Sequence, residues 1–193
     1  SSATPEEVME LFKDYSQFYN GLKHGTVSIF IEGHVVEITT YRVDGPYENF
    51  RHPEQVIFTK RLMDDISRRD FTINSIAYSP EEGFVDYFGG KNDLSKRLIR
   101  AIGEPSQRFQ EDALRIMRAL RFASSLGFDI EEATWQAMVQ NRHLLSHISA
   151  ERKAIELTKL LLGQNVQKIL TNYSLILDQI MPEIGLMQGF DQN

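Results

Sequence analysis

The sequence predicts an α+β protein in two parts, strand-rich material behind one opening helix and then a stretch that is helical throughout. Three observations carry this. β-branched and aromatic residues crowd into Thr26–Ile31 and Val35–Tyr41, further strand material follows at Phe71–Tyr78 and Phe84–Asp86, and from about Ser95 apolar residues recur at helical spacing. With 193 residues, 41% hydrophobic and 25% charged, the chain has the balance of a globular protein of one domain or two small ones.

Each element has a local reason. Thr4-Pro5-Glu6-Glu7 combines an N-cap, a proline at the first helical position and two acids at the positive end of the helix dipole. Val8, Leu11, Phe12 and Tyr15 then form a stripe expected to face the core. The two strand runs at 26–41 are separated by Glu32-Gly33-His34 and predict a β-hairpin. Asp44–Pro53, with two prolines and many polar residues, predicts an irregular loop. Pro80–Gly83 predicts a turn between two further strands. Helices are expected at Ser106–Leu126, Ile130–Gln140 and Ser149–Leu162, with Gly127 and Gly163 as C-caps.

Composition narrows the function. There is no cysteine, which removes disulfides, thiolate catalysis and cysteine-based zinc sites and points to a reducing cytoplasm. Apolar runs such as Leu160–Leu162 are far shorter than the roughly 20 residues of a membrane span, so no membrane association is expected. Ser1–Val8 is polar and acidic where a secretory signal would be apolar. The net charge of −6 argues against a surface that binds nucleic acid everywhere, while leaving room for local basic clusters. The chain opens on Ser1 rather than Met and runs at once into a helix start, as expected of a piece of something longer.

Three constellations could carry chemistry. In Arg68-Arg69-Asp70-Phe71-Thr72-Ile73-Asn74, two guanidiniums can hold phosphates, and Asp70 and Asn74 can bond ribose hydroxyls; a charged turn entering a strand would look the same. Within Glu111–Phe122, Asp112, Arg115, Arg118 and Arg121 recur every third residue, a ladder that winds about the helix and climbs roughly 13 Å. Asp112 only accepts hydrogen bonds and Arg115 only donates them. Cytosine and adenine each show an amino donor beside a ring-nitrogen acceptor, so this pair can read either, whereas uracil and guanine present the wrong groups at both points. An ordinary helical ion pair is the competing explanation. Glu37, in the middle of Val35–Tyr41, lies on the face opposite Val36 and Ile38 and could help bind a catalytic metal or simply face solvent. The five histidines show no metal spacing.

Gly21–Val27, Val36–Arg42, the Arg68–Asn74 run, Asp86–Gly90, Glu111–Phe122 and Ile148–Arg152 occur in the order and spacing of the class II tRNA nucleotidyltransferases. The chain resembles these bacterial CCA-adding enzymes and their poly(A) polymerase relatives along nearly its whole length. The resemblance implies a polymerase-β-like nucleotidyltransferase head over 1–95, incomplete at its start, a helical neck over 96–165 and the start of a helical body over 166–193. It further implies that Arg69 contacts the nucleotide, that Asp112, Arg115, Arg118 and Arg121 bind incoming CTP or ATP, and that Asp112 and Arg115 select C and A. Asp70 and Asn74 match the ribose-facing part of the motif, and Glu37 the strand that carries a third carboxylate. The implied partners are CTP, ATP and the tRNA 3′ end, with Mg²⁺ as cofactor of the complete enzyme.

The sequence also departs from the family. A glycine-rich segment and an Asp-x-Asp metal pair ordinarily come just before a helix that here begins at Ser2-Ala3-Thr4-Pro5-Glu6, so neither is among these residues. Two-metal chemistry needs such carboxylates, and Glu37 alone cannot supply them. The chain by itself is therefore expected to bind nucleotide weakly and not to catalyse transfer. Ala113-Leu114, where poly(A) polymerases have Pro-Val, favours the CCA type. The loop at Asp44–Pro53, with Asp44 and Arg51, argues against a CC-adding enzyme, although Asn49 and Phe50 depart from the usual loop residues. A non-catalytic nucleotide- or RNA-binding module is the alternative of a different class.

Overall fold

A computed structural model describes residues 1–45 and 56–181, together with the strand backbones Tyr47–Glu48 and His52–Pro53. It has two compact units, one made of Ser1–Pro46 with Pro53–Arg69, the other of Tyr47–His52 with the chain from Asp70 onward. The α+β class is as the sequence predicts, in small sheets and many short helices.

The first unit opens with α1 (Pro5–Leu11), closed by a reciprocal cap: Glu7 N–H donates to Thr4 Oγ1 at 3.2 Å, and Thr4 N–H donates to the Glu7 carboxylate at 2.7 Å. Val8 is buried as expected, but Leu11 is 73% exposed and Tyr15 also faces water. The stripe fails there because the helix ends at Leu11 and Phe12 turns the chain. Strands β1 (Ser16–Phe18), β2 (Thr26–Ile31) and β3 (His34–Thr39) form an antiparallel sheet in that order. Glu32 and Gly33 join β2 to β3 with φ of 49° and 84°, a tight turn whose two left-handed residues bring His34 into the strand. Val27 and Ile29 bury one face with Val8, Ile38 packing beside them. Strand β4 (Arg42–Asp44) comes next.

The segment expected to be an irregular loop contains β5 (Tyr47–Glu48) paired with β6 (His52–Pro53), a ladder too short to show in the sequence pattern. Pro46, Asn49, Phe50, Arg51, Glu54 and Gln55 lie outside the described residues. β7 (Val56–Phe58) pairs with β4, and α2 (Leu62–Ser67) completes the first unit.

In the second unit the expected strand Phe71–Tyr78 is divided. Phe71 makes one bridge to Ala101, Thr72–Asn74 form a 3-10 turn, and only β8 (Ala77–Ser79) is strand. The Ser75 hydroxyl donates to the Thr72 carbonyl and the Asn74 amide to Asp70, side-chain bonds that favour the turn over a ladder. β9 (Gly83–Val85) pairs with β8; α3 (Gly90–Lys96) and β10 (Leu98–Ile99) follow. The helix expected at Ser106–Leu126 is two, α4 (Pro105–Glu111) and α5 (Leu114–Leu126). Asp112 breaks it with φ −143° and ψ 104°, while its carboxylate accepts the Leu114 N–H at 3.0 Å and so starts the second helix. Ile130 belongs to β11 (Asp129–Ile130), parallel to β10, and α6 (Glu132–Asn141) begins only after it. α7 (Ala150–Leu161), α8 (Val166–Asn172) and α9 (Ser174–Ile180) finish the described chain. Gly163 is not the C-cap of α7, a place taken by Leu162. A Cβ on Gly163 would meet Ser124 Oγ, so this glycine serves a close approach to α5. Phe71, Phe109, Met117, Leu120, Met138 and Leu160 lie in the core of this unit. Among the described residues no helix is long and apolar enough to cross a membrane.

Candidate functional site

Arg115, Arg118 and Arg121 project from α5 at steps of three, each step rising about 4.5 Å and turning back about 60° around the axis. They therefore meet different neighbours. Arg115, its side chain 10% exposed, donates to Glu111 Oε2 at 2.6 Å and to the Arg108 carbonyl at 3.0 Å. Arg118, 32% exposed, lies against Asp70, with both Nε and Nη2 at 2.6 Å from Oδ2. Arg121 stands 3.1 Å from Glu156 of α7 and 4.2 Å above the Phe122 ring. That ring packs edge-on against Phe71.

Asp112, expected as the foot of the ladder, sits in the break between α4 and α5. Its Oδ2 accepts from Arg152 Nη2 at 2.9 Å, while its Oδ1 caps α5. Asp112 is thus paired with Arg152, and Arg115 with Glu111. Each side chain is held by its neighbours before any ligand arrives. Such prior fixing is what a hydrogen-bond template requires.

Asp70 is nearly buried, with 7% of its surface exposed. Its Oδ1 accepts from the Phe71 N–H at 2.9 Å and from Asn74 Nδ2 at 3.1 Å, and its Oδ2 takes Arg118. Four donors match the roughly four lone pairs of a carboxylate. A ribose hydroxyl would have to exchange with one of them. Asn74 is brought beside Asp70 as the sequence suggests.

Arg69 belongs to the first unit, just past the end of α2. Its Nη2 is 3.4 Å from Asp65 Oδ2, and its side chain is 47% exposed. Asp65 is buried, and its other oxygen accepts from Arg68 Nε at 3.0 Å, Arg68 Nη2 at 2.8 Å and the Arg42 N–H at 3.3 Å. Burial alone would raise the Asp65 pKa, but the Arg68 hydrogen bonds and the charges of Arg68 and Arg69 hold it below the ordinary carboxylate range. In the second unit Asp86 is also lowered, because backbone N–H groups of Lys91 and Gly90 outweigh desolvation.

Glu37 is exposed in the middle of β3, opposite Ser28 of β2. Among the described residues no three His, Asp or Glu side chains gather in a way that could hold a metal ion. The described carboxylates therefore do not fit a magnesium site by themselves, and Glu37 has no acidic companion across the sheet.

Sequence reasoning gave no role to Asp65, Glu111, Arg152 or Glu156. Asp65 had a signal, because 65, 68 and 69 stand at i, i+3 and i+4. Glu111 stands four residues before Arg115, an equally readable spacing. Arg152 and Glu156 reach partners on another helix, and no local spacing announces them.

Comparison with known proteins shows which family the chain is similar to. The Poly A polymerase head domain matches residues 1–100, and the "Probable RNA and SrmB-binding site of polymerase A" matches residues 127–186. A CCA-adding enzyme of Bacillus velezensis is 43% identical over 192 residues, 100% of this chain and 48% of that protein. The crystal structure of the Bacillus stearothermophilus CCA-adding enzyme in complex with CTP superposes with a TM-score of 0.79 at 44% identity, covering 88% of this chain and 40% of the other. A tRNA nucleotidyltransferase complexed with a primer tRNA and an incoming ATP analogue gives 0.72 at 29% identity, over 97% and 52% of the two chains. The chain thus spans about half the length of the curated relative it matches.

Proposed function

The chain belongs to the Poly A polymerase head-domain family, and on that premise we propose that it works in adding C, C and A to the 3′ ends of tRNA, with CTP and ATP as nucleotide donors. In this reading 1–95 is nucleotidyltransferase head, 96–165 neck and 166–193 the start of the body. The 3′-hydroxyl of the tRNA attacks the α-phosphorus of the bound nucleotide, a new phosphodiester bond forms, and pyrophosphate leaves.

Asp112 and Arg115 read the base, one accepting from the amino group of cytosine or adenine and the other donating to the ring nitrogen. Arg118, the most exposed arginine of α5, contacts the phosphates, with Asp70 holding it and Asn74, bonded to Asp70, facing the ribose. Arg121 supports the same helix from its far end, and Arg69 meets the nucleotide from the head. Glu37 is the carboxylate of the head's strand. The described carboxylates do not by themselves assemble a magnesium site. A cysteine-free chain without a membrane-crossing helix among its described residues suits work in the cytoplasm.

The observation that carries the reading is the arrangement of Asp112 and Arg115, each immobilised by a partner other than the other, in a chain similar to a CTP-bound relative. Its test is a transfer assay on tRNA lacking its CCA end, using the protein with all the sequence its gene encodes and each of CTP, ATP, UTP and GTP. The unaltered protein should use CTP and ATP; failure to extend the tRNA with them would remove the assignment. Asp112→Ala should lower discrimination against UTP and GTP by roughly 10²-fold or more while pyrophosphate is still released. A variant that rejects UTP and GTP as firmly as the parent would end the template role.

A further inference from the structure

Resting on the nucleotide reading above, we propose that Asp93 is a positioning residue, whose buried carboxylate fixes, through the Thr72 hydroxyl, the turn that carries Asn74 and so sets how the site reads the ribose. Asp93 lies on α3 and Thr72 opens the 3-10 turn Thr72–Asn74; each is 2% exposed. The Thr72 hydroxyl donates to Asp93 Oδ2 at 2.7 Å, and the Thr72 N–H donates to the Arg100 carbonyl at 3.0 Å. The Arg100 side chain then returns to Asp93, with Nε 3.1 Å from Oδ2 and Nη2 3.3 Å from Oδ1. Thr72, Arg100 and Asp93 thus close a ring of hydrogen bonds that holds both the backbone and the side chain of Thr72.

Burying a carboxylate is costly, and apolar packing would hold α3 to the turn without that cost. Hydrogen bonds add what packing lacks, a fixed direction. α3 also meets the turn at backbone distance, since a Cβ on Gly90 would strike the Thr72 carbonyl oxygen. That carbonyl accepts from the Ser75 N–H and the Ser75 hydroxyl, which close the turn. Two residues past Thr72, the Asn74 amide reaches Asp70 Oδ1 at 3.1 Å. A turn that slipped would carry this amide away from Asp70, and Asp70 and Asn74 are the pair that faces the ribose in this reading. The base is read elsewhere, by Asp112 and Arg115, so the effect of Asp93 falls on the sugar.

CTP and dCTP differ only in the ribose 2′-hydroxyl, and calorimetry with both tests this on the protein with all the sequence its gene encodes. The parent should bind CTP about fivefold more tightly than dCTP, the worth of one hydrogen bond to the sugar. Thr72→Val keeps the shape of the side chain but removes its hydroxyl, and Asp93→Ala removes the acceptor. Each should abolish most of that preference, whereas Thr72→Ser, which keeps the hydroxyl, should retain it. In an Asn74→Ala background, adding Thr72→Val should lower the preference no further, as for residues that act through one another. Equal weakening of CTP and dCTP in Thr72→Val would mean a structural role alone and overturn the inference, as would a variant with the full parental preference. A parent that binds the two nucleotides equally would overturn it as well, while leaving the base reading intact. A parent that binds no CTP would overturn the nucleotide reading itself, an outcome visible before any variant is made. Should Asp93→Ala fail to fold, the two Thr72 variants decide.

Discussion

In the first unit Arg68 and Arg69 pool the carboxylate of Asp65 beside α2, whereas in the second unit Arg118 and Arg121 each face an acid from a distant stretch of chain. The pooled cluster is largely local, its members three and four residues apart around Asp65. The paired ladder reaches 48 residues back from Arg118 to Asp70, and 40 forward from Asp112 to Arg152. A pooled charge can be shared out again when one acid is lost; a private pair cannot. The second unit should therefore depend on these acids for folding more than the first depends on Asp65.

The sharpest way to break that contrast is Glu156→Ala. Arg121 is 15% exposed and would be left beside a missing partner, at a cost of about 3 kcal/mol. Urea unfolding of the protein should show the second unit weakened accordingly. A loss below about 1 kcal/mol would mean that the Phe122 ring alone sustains Arg121 and that the pair is not private.

Asp70→Asn should have a smaller effect, about 1–2 kcal/mol, because Arg118 is a third exposed and water screens part of what it loses. The amide can still accept from the Phe71 N–H, but its NH2 then faces the Arg118 donors, so the change removes both the charge and the acceptor that Arg118 uses. CTP affinity should fall together with stability. A variant that binds CTP as well as the parent would detach Asp70 from the nucleotide-binding role of Arg118.

Much of this was legible in the sequence, for physical reasons that differ by region. The capping box at Thr4 and Glu7, the hairpin at 26–39 and the helix after Ser149 are set by neighbouring residues, and neighbours are what a sequence displays. The break at Asp112 was hidden because its flanks are good helix formers, and only the capping bond to Leu114 tips the backbone out of the helix. The divided strand after Phe71 was hidden for the same reason, since Phe, Thr and Ile read as strand while Ser75 and Asn74 hold a turn. Gly163 looked like a C-cap because its closeness to Ser124 involves a helix far away in sequence. The candidate arginines were all visible; Glu156, which reaches Arg121 from another helix, was not.

The smallest effect expected is one of pH, and it sharpens the comparison from the first unit's side. Because Asp65 titrates below its ordinary value of 3.8 when folded, its contribution is complete above that pH and is lost as pH falls through the lower, folded value. Acid should therefore loosen the first unit only below about pH 4. Global acid unfolding would not isolate this, because Asp86 in the second unit shifts the same way through its backbone donors. A residue-specific titration of the Asp65 carboxyl carbon by NMR reads it directly. The midpoint should lie below 3.8 in the parent and move up toward it in Arg68→Gln, which removes the strongest donor. A parent midpoint at or above 3.8 would mean that burial outweighs the arginines, and the contrast with the second unit would lose its basis in the charge of Asp65.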